Sequence, residues 1–484
     1  MSKYTRLIAI MLTMGVACCA CTFQSNNVNS NVTSELTSSE TDNTEDTTKS
    51  FPHEIKDFGG MTFTILTDYE AADKLDINDF DITESSGEVL NDAVFKRNQY
   101  IEEKFNVSLA AKHAEDGGFI NEMRKYVVSG DDDIQVGGVR YTNSYQLIKD
   151  GYCHELMQYD GYLTLDGAWW DSREIDEMTV KNGLYVIAGD FFYKHYDGIE
   201  LLMFNKKLAA DNNIDNLYDL VSDGKWTLEQ MGALCKNTTI DLNGDGKITD
   251  MDDQFAFASQ IDAVTTFVLA SNLKLVEHEK DGSLSFTKET EKINNVIERV
   301  LNFYIDETWD AHRDNACKYG PANVFTSGHS LFCWGMARSL AFESYRSMED
   351  EFGILPYPKY DESQSDYLSY VNFWHGYGLI IPASVSNPED IAYLMDAIAY
   401  YGAQMVTPEY YETCLTRKYV RDNESEAVLK IIFKNTIYDI GMYYNVGGIR
   451  DAIQKSFRNN QNVFASSLAS IQERINSDIE ELNS

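Results

Sequence analysis

Short apolar runs alternate with amphipathic segments along most of the chain, and this alternation limits the possible folds more than any other feature. Residues 61–66 read Met-Thr-Phe-Thr-Ile-Leu, an alternating run rich in β-branched and aromatic side chains, which predicts a strand. Residues 91–104 carry apolar and aromatic side chains between charged ones, which predicts an amphipathic helix. Repeated along the chain, this order predicts an α/β body with a largely parallel sheet.

The same patterns predict further elements downstream. Strands are expected over residues 105–110, 132–136, 184–188, 330–334, 352–355 and 378–381. Helices are expected from Thr227 through Cys235, and over residues 293–304, 387–401, 451–457 and 465–482. Thr227, with Gln230 three residues later, fits a capping box that would open the first of these helices.

The charge balance excludes several classes of partner. The chain has 484 residues, with 40 Lys and Arg against 77 Asp and Glu, so its formal net charge is −37. Nucleic-acid binding needs a basic stripe that meets the phosphates, and binding to anionic lipid also needs basic residues. Hydrophobic residues make up 43% of the chain, which is enough for a large core, and the length predicts two or more compact units.

The first 20 residues resemble a bacterial lipoprotein signal peptide. Two basic residues precede an apolar run over residues 7–17, which is too short for a stable membrane-spanning helix. Small residues and cysteines follow. In the lipoprotein pattern a cysteine after a small residue is lipidated, which here is Cys21 or, as the alternative, Cys18. An ordinary secretory signal with incidental cysteines is the competing interpretation.

Residues 21–54 are predicted to form a disordered tether. Residues 25–50 consist mainly of Ser, Thr, Asn and acidic residues and contain no aromatic side chain. Such a segment cannot bury enough apolar surface to offset its ordering entropy. No later stretch has the run of apolar residues that a membrane span needs. The anchor and tether together predict a body held at the outer face of a bacterial cell membrane.

The body holds an odd number of cysteines without a C-x-x-C pair. They are Cys153, Cys235, Cys317, Cys333 and Cys414. A body large enough to form its own core does not need a disulfide framework, so free thiols are expected. One disulfide bridge is the alternative.

Five stretches, taken in order, are similar to the motifs of one family. They are residues 181–185 (Lys-Asn-Gly-Leu-Tyr), 202–208 (Leu-Met-Phe-Asn-Lys-Lys-Leu), 225–229 (Lys-Trp-Thr-Leu-Glu), 322–330 (Ala-Asn-Val-Phe-Thr-Ser-Gly-His-Ser) and 352–359 (Phe-Gly-Ile-Leu-Pro-Tyr-Pro-Lys). In this order they resemble the extracellular solute-binding proteins of ABC importers, in the group that includes maltose-binding proteins. The resemblance covers about residues 60–400. One departure is the missing proline at the start of the third motif.

The resemblance implies an α/β, two-lobe periplasmic-binding-protein-like fold of type II, with crossing hinge strands and a ligand cleft between the lobes. Lobe one is expected over residues 55–195 and 356–385, and lobe two over residues 198–354 and 387–484. The implied function is capture of a carbohydrate or oligosaccharide and its delivery to ABC transporter permease subunits. A cell-surface adhesion module on the same body, or a receptor for another solute such as a peptide, is the alternative.

Aromatic and polar residues near the expected crossovers are candidate ligand contacts. Aromatic faces stack on the apolar faces of sugar rings, while charged and amide side chains bind the hydroxyls. The candidates are Trp374, Trp334, Trp170, Tyr193, Asp190, Arg140 and Tyr141. The resemblance points most directly to Trp374 and Trp334. Packing in the core is the competing interpretation for every one of them, because large aromatics dominate cores in general.

Residues 241–252 match a calcium-binding loop. Asp241, Asn243 and Asp245 supply oxygens at the first, third and fifth positions, and a glycine follows at the sixth. Lys247 offers its backbone carbonyl, and Asp252 closes the loop where glutamate is usual. The pattern predicts one structural Ca²⁺ on the surface of lobe two. A solvated acidic turn is the alternative.

The sequence lacks the motifs of several common enzyme classes. Residues 154–158 miss the zinc motif H-E-x-x-H at the last position, and residues 328–332 miss the nucleophile motif G-x-S-x-G. No P-loop and no dinucleotide-binding glycine motif opens a helix. Pairs of carboxylates do not indicate a glycosidase here, because they are frequent in so acidic a chain. The protein is therefore expected to bind its ligand without catalysis.

Overall fold

The computed structural model describes residues 50–67, 79–115, 117–181, 183–249, 252–310 and 320–484. The predicted signal peptide, the two lipidation candidates and residues 21–49 of the predicted tether lie outside the described residues. The residues from Phe51 to Ser484 form one compact unit.

Strands and helices alternate along this unit, as the sequence predicts. The strands are β1 (Met61–Thr67), β2 (Val107–His113), β3 (Val136–Arg140), β4 (Glu200–Asn205), β5 (Phe255–Ser259), β6 (Val276–His278), β7 (Leu284–Phe286), β8 (Thr308–Asp310), β9 (Ser330–Met336), β10 (Phe352–Leu355), β11 (Ser369–Tyr370), β12 (Tyr377–Ile380) and β13 (Thr436–Ile437). The helices are α1 (Val89–Phe105), α2 (Phe119–Ser129), α3 (Tyr141–Lys149), α4 (Ser172–Met178), α5 (Lys194–Asp197), α6 (Lys206–Asp211), α7 (Leu217–Ser222), α8 (Leu228–Cys235), α9 (Ala263–Ala270), α10 (Thr290–Glu307), α11 (Gly320–Thr326), α12 (Glu343–Arg346), α13 (Pro388–Met405), α14 (Asn423–Lys434), α15 (Ile440–Tyr443), α16 (Ile449–Arg458) and α17 (Phe464–Leu482). Short 3₁₀ turns at Met157–Tyr159, Ala337–Ala341 and Val446–Gly448 and a π-helical segment at Glu409–Tyr419 complete the described elements. No described helix has both the length and the apolar character needed to cross a membrane.

The first sheet has the strand order β12-β3-β1-β2. β1 pairs in parallel with both of its neighbours, and Ile65 lies opposite Val136 on β3. β12 runs antiparallel to β3, so that Tyr377 lies opposite Arg140. The strand predicted over residues 61–66 is confirmed.

Two predicted strands of this sheet start later than the sequence pattern indicates. α1 continues through Phe105 and is capped by Asn106, whose backbone is left-handed with φ at 50°, so β2 starts only at Val107. The strand predicted from residue 132 starts at Val136, because the acidic residues before it lie in an exposed turn.

The second sheet has the strand order β10-β4-β9-β5-β8. β5 is parallel to β8 and β9, whereas β4 is antiparallel to both of its neighbours. Both sheets are therefore mixed. The first is largely parallel, as predicted, whereas the second has as many antiparallel as parallel pairings. The chain reaches β4 from the side of the first sheet and β12 from the side of the second sheet. Neither strand therefore needs the helical crossover that joins parallel neighbours within one sheet.

Two antiparallel segments join the two sheets. The segment before β4 forms isolated bridges to the segment before and within β12, with Ile187 opposite Leu379 and Ile199 opposite Val371. The strand predicted over residues 184–188 is therefore a crossing segment and not a member of a sheet. Crossing strands of this kind are the hinge that the family resemblance implies.

Each of the two larger sheets takes its strands from the ranges predicted for one lobe, but one helix differs. α13 packs against α1 beside the first sheet, with the ring centroids of Tyr393 and Phe105 5.9 Å apart. Residues 387–484 are predicted to belong to lobe two, and the contact of α13 with α1 departs from this prediction, because an amphipathic pattern does not tell which sheet a helix covers. The remaining lobe boundaries stay a prediction.

Residues 51–54, which the sequence analysis assigned to the tether, belong to the packed body. The Phe51 ring lies 5.6 Å from the Tyr393 ring in an edge-on arrangement. His53 Nε2 lies 3.2 Å from Asp396 Oδ2. The ordered body therefore includes the last residues of the predicted tether.

The described body cysteines agree with the expectation of free thiols. Cys153, Cys235 and Cys333 are unbridged and buried. Burial raises the pKa of Cys333 to about 12. Cys317 and the side chain of Cys414 lie outside the described part of the chain.

A buried carboxylate ties the crossing segments to the second sheet. Glu200, the first residue of β4, is fully buried. It accepts hydrogen bonds from Thr266 Oγ1 at 2.7 Å, Trp334 Nε1 at 2.9 Å, Tyr357 OH at 3.1 Å and Asn372 Nδ2 at 2.7 Å. Burial raises the pKa of Glu200 to about 7 against the opposing effect of these donors. The folded chain therefore holds this proton more tightly than the unfolded chain does.

Because its pKa is raised in the folded state, Glu200 should make the free energy of unfolding decrease as the pH rises from about 4.5 to about 7. Its contribution is complete below this window and is lost above it. The Glu200→Gln variant should lack this component, so its melting temperature should fall less than that of the wild type over the window. Calorimetry at several pH values measures this, with the exposed Glu298→Gln as the matched control. Parallel profiles for Glu200→Gln and the wild type would contradict it.

A chain that begins at Phe51 should fold with the melting temperature of the full chain, whereas one that begins at Ile55 should be less stable. The shorter chain loses the Phe51 ring contacts and the contact of His53 with Asp396. Loss of a packed aromatic costs roughly 2–3 kcal/mol at a partly buried position. Thermal unfolding of the two chains measures the difference, and equal melting temperatures would refute the role given to residues 51–54.

Candidate functional site

The carboxyl ends of strands from both sheets lie next to a turn of the crossing region. β3 ends at Arg140, and β9 is followed directly by a 3₁₀ turn that includes Arg338. The turn at residues 372–376 lies between them and leads into β12. Ligands of α/β proteins bind outside the carboxyl ends of strands. We name Arg140, Arg338, Trp374, His375 and Arg450 the cleft cluster.

Asn372 anchors the turn that carries Trp374. Its backbone N–H donates to the Gly198 carbonyl at 2.9 Å, and its Oδ1 accepts from the Trp374 N–H at 2.9 Å. The Arg450 guanidinium lies 4.2 Å from the centroid of the Phe373 ring. The turn is thus fixed from several sides, while the Trp374 side chain is 42% exposed.

Two further arginines contact the turn and the start of β12. Arg338 Nη2 lies 3.4 Å from His375 Nε2. Arg140 Nε donates to Tyr377 OH at 3.3 Å. The cleft cluster is therefore built from β3, from the turn after β9, from the crossing segment and from α16, which are far apart in the sequence.

His375 is held neutral by its surroundings. Burial, and after it the charges of Arg338 and Arg140, keep the pKa of this imidazole well below its usual range. Because arginine only donates hydrogen bonds, the Nε2 of the neutral ring is the acceptor for Arg338. The cluster therefore places guanidinium groups and a neutral imidazole around the turn that exposes the Trp374 indole, and an indole face is suited to stacking on a ring.

The structure brings Trp374 and Arg140 to the cleft cluster but not the other two predicted tryptophans. Trp170 is 3% exposed and donates its indole N–H to Asp396 at 2.9 Å. Trp334 is 7% exposed and donates to Glu200. Both indoles donate hydrogen bonds to buried carboxylates, which accounts for their inward orientation.

Asp190 and Tyr193 lie in the crossing segment before β4 and are engaged there. Asp190 Oδ1 accepts from Tyr196 OH at 2.7 Å, and burial raises the pKa of this carboxyl. The Tyr193 ring lies 5.5 Å from the Tyr410 ring. Asp190 and Trp170 share the wall of a small cavity of about 210 Å³. These predicted contacts are thus grouped near the hinge.

Tyr141 is fully buried and stacks on Tyr443 with 4.3 Å between centroids. One turn further along α3, Tyr145 stacks on Tyr444 at 4.7 Å. A cavity of about 480 Å³ lies beside this second pair, lined by residues of α3, of the segment after α4 and of the C-terminus. The first turn of α3 therefore separates this cavity from Arg140.

Sequence reasoning missed Arg338, His375 and Arg450. His375 stands next to a predicted tryptophan, and Arg338 comes two residues after a buried strand, which was the available signal. Arg450 lies on α16. The amphipathic pattern of α16 does not show which side of the helix faces the other residues of the cluster.

Solved structures match the chain over most of its length, although no protein-family model and no curated protein matches its sequence. An ABC substrate-binding protein from Listeria monocytogenes in complex with cycloalternan matches with a TM-score of 0.56 at 9% identity, covering 87% of this chain and 99% of that chain. The galacto-N-biose-/lacto-N-biose I-binding protein of the ABC transporter from Bifidobacterium longum matches with a TM-score of 0.55 at 11% identity, covering 88% and 99%. The maltose/maltodextrin-binding domain MalE from Bdellovibrio bacteriovorus, bound to maltotriose, matches with a TM-score of 0.52 at 13% identity, covering 88% and 100%.

This chain has the two-lobe fold of ABC solute-binding proteins. The predicted fold class is thereby confirmed. At these identities the similarity establishes the fold and leaves the ligand open. In this solute-binding fold, the cleft cluster lies where the carboxyl ends of strands from both sheets meet the crossing segments.

The predicted calcium loop adopts a tightly turned conformation. Asp241 accepts the backbone N–H groups of Gly244 at 2.7 Å and Gly246 at 2.8 Å through its two carboxylate oxygens. Asn243 and Asp245 each accept the N–H two residues ahead, that of Asp245 and that of Lys247. The predicted ligand side chains of the loop thus accept hydrogen bonds from the backbone N–H groups of the same loop.

Asp253, which the calcium pattern did not include, also turns into the loop. It accepts the N–H groups of Leu242 at 2.9 Å and Thr249 at 2.7 Å, and the hydrogen bond from Thr249 is the main cause that lowers its pKa. Asp252 lies 3.5 Å from Thr249 Oγ1. Among the described residues, no three acidic, histidine or cysteine side chains are grouped as metal ligands. Binding of Ca²⁺ by this loop stays a prediction.

If the loop binds Ca²⁺, Asp241→Ala should lower the melting temperature in calcium to that of the chelated wild type. A metal bound only by the folded state adds about 2.7 kcal/mol at a hundredfold excess over its Kd. Asp281→Ala is the control, because Asp281 holds another exposed turn through Ser283. Its effect should be the same with and without calcium. A wild-type melting temperature that does not respond to chelation would leave the loop as an acidic turn.

Proposed function

We propose that this protein is a lipid-anchored, extracellular solute-binding protein that captures a carbohydrate or oligosaccharide and delivers it to the permease subunits of an ABC transporter. The observation that carries the proposal is Trp374, an exposed indole on an anchored turn at the junction of the two sheets. Three proteins that share the fold are described with cycloalternan, maltotriose and lacto-N-biose. A lipid anchor at Cys21 would hold the receptor at the outer face of the membrane.

The proposed chemistry is reversible binding in which no bond is broken. A sugar ring stacks its apolar face on Trp374, and its oxygens accept hydrogen bonds from the arginines of the cleft cluster. Binding favours the closed arrangement of the lobes by as much as the ligand prefers that state. The closed form then presents both lobes to the transporter.

Two alternatives use the same fold. The protein could instead serve as an adhesion module, or it could capture a peptide or another solute. The proteins of similar structure reported above are binding proteins, which supports a receptor without catalytic activity. An exposed aromatic beside planar donors favours a ring-shaped polar solute over an extended peptide backbone.

Screening against a glycan panel by thermal shift and calorimetry should find a carbohydrate that raises the melting temperature. Trp374→Ala should then weaken binding by about tenfold or more, since loss of an exposed stacking face removes on the order of 1.4 kcal/mol. Trp374→Phe should retain part of the affinity. Tyr162→Ala removes an equally exposed aromatic elsewhere and should leave affinity unchanged. Stabilisation by peptides alone, with full affinity in Trp374→Ala, would contradict the proposal.

A further inference from the structure

A cavity of about 480 Å³ lies beside the stacked pair Tyr145 and Tyr444, and Tyr185 also lines it. We name it the tyrosine cavity. Its walls come from α3, from the segment after α4 and from the end of α17. α3 directly follows β3 of the first sheet, whereas α17 packs against α16 and β7. Because these parts are far apart in the sequence, the cavity forms only in the folded chain, and its volume is typical of a small-molecule site.

The less exposed walls of the tyrosine cavity are aromatic and aliphatic. Met178 and Tyr444 are buried, and Tyr145, Tyr185 and Leu482 are partly buried. Aromatic and aliphatic side chains bind a ring compound by stacking and by removing its apolar surface from water. This part of the cavity is therefore suited to a largely apolar ring.

The more exposed walls carry charges that cancel. Lys149 on α3 and Glu481 on α17 form an ion pair at 2.8 Å, and both side chains are more than a third exposed. Lys181 is exposed, and Glu155 is half-buried and accepts the Leu184 N–H at 3.0 Å. Two lysines and two glutamates thus line the cavity. Their formal charges sum to zero, which favours an uncharged ligand.

The hydroxyl of Tyr145 is a polar group available to such a ligand. It is buried and has no hydrogen-bond partner among the described residues. Burial, and after it the charge of Glu481, raises the pKa of Tyr145, so the hydroxyl keeps its proton at neutral pH and can donate or accept. A buried hydroxyl without a partner is unfavourable. A ligand that forms a hydrogen bond with it removes this cost.

We propose that the tyrosine cavity is a second binding site, for a small uncharged ring compound with a single hydroxyl group. The ring packs against the tyrosines and aliphatic side chains, and its hydroxyl pairs with that of Tyr145. A sugar fits less well, because it carries hydroxyls around its whole ring and the apolar walls offer them few partners. The site does not include Trp374, and the proposal does not depend on carbohydrate binding in the cleft.

Two aromatic probes that differ only in the hydroxyl test the proposal. In fluorescence titrations, 2-naphthol should bind about threefold to tenfold more tightly than naphthalene, the range expected for one net hydrogen bond. Because the cavity forms only in the folded chain, 2-naphthol should also raise the melting temperature. Absence of 2-naphthol binding would overturn the proposal.

Tyr145→Phe separates the hydroxyl from the packing of the ring. This variant should melt at the wild-type temperature or above it, since the lost hydroxyl has no described partner. It should nevertheless bind 2-naphthol no more tightly than naphthalene. Tyr162→Phe, at an exposed tyrosine elsewhere, should keep the wild-type difference between the probes. Ile148→Trp, which fills the cavity from α3, should block both probes, and its melting temperature shows whether it remains folded.

Further outcomes distinguish this site from the proposed sugar site. Trp374→Ala should leave 2-naphthol binding unchanged, and Tyr145→Phe should leave glycan affinity unchanged. Loss of 2-naphthol binding in Trp374→Ala would place the probe in the cleft and overturn the proposal. A preference for 2-naphthol that survives Tyr145→Phe would overturn it too. Cellobiose that binds the wild type, but not Ile148→Trp, would show that the ligand class is wrong.

Discussion

The buried carboxylate of Glu200 is the interaction on which the arrangement of the lobes depends. Burying an ionisable group without partners costs several kcal/mol, so each of its four donors must stay in place in the folded protein. The donors come from α9, β9, the segment after β10 and Asn372. Asn372 in turn anchors the turn that presents Trp374. The same hydrogen-bond network therefore fixes both the hinge and the exposed aromatic of the site.

Beside the first sheet, Asp396 is a second buried carboxylate that accepts hydrogen bonds from several segments. This fully buried residue of α13 accepts the indole N–H groups of Trp169 and Trp170 and both the N–H and the hydroxyl of Thr164. His53 reaches the same carboxylate from the start of the ordered body. Buried tryptophans need a partner for their N–H, and here carboxylates supply it. This requirement explains why two of the predicted stacking residues, Trp170 and Trp334, face inward.

The parts of the fold that could be predicted are those with a local signal. The strand at residues 61–66, the helix at 293–304 and the cap at Thr227 each follow from periodicity or from a pattern within a few residues. Whether an indole is exposed depends instead on a distant carboxylate, as at Trp334. The pairing of Arg338 with His375 likewise joins two elements that only the fold brings together. Arg140 was a candidate because it follows the end of a predicted strand, and Trp374 because the family resemblance implies an aromatic ligand contact at its position.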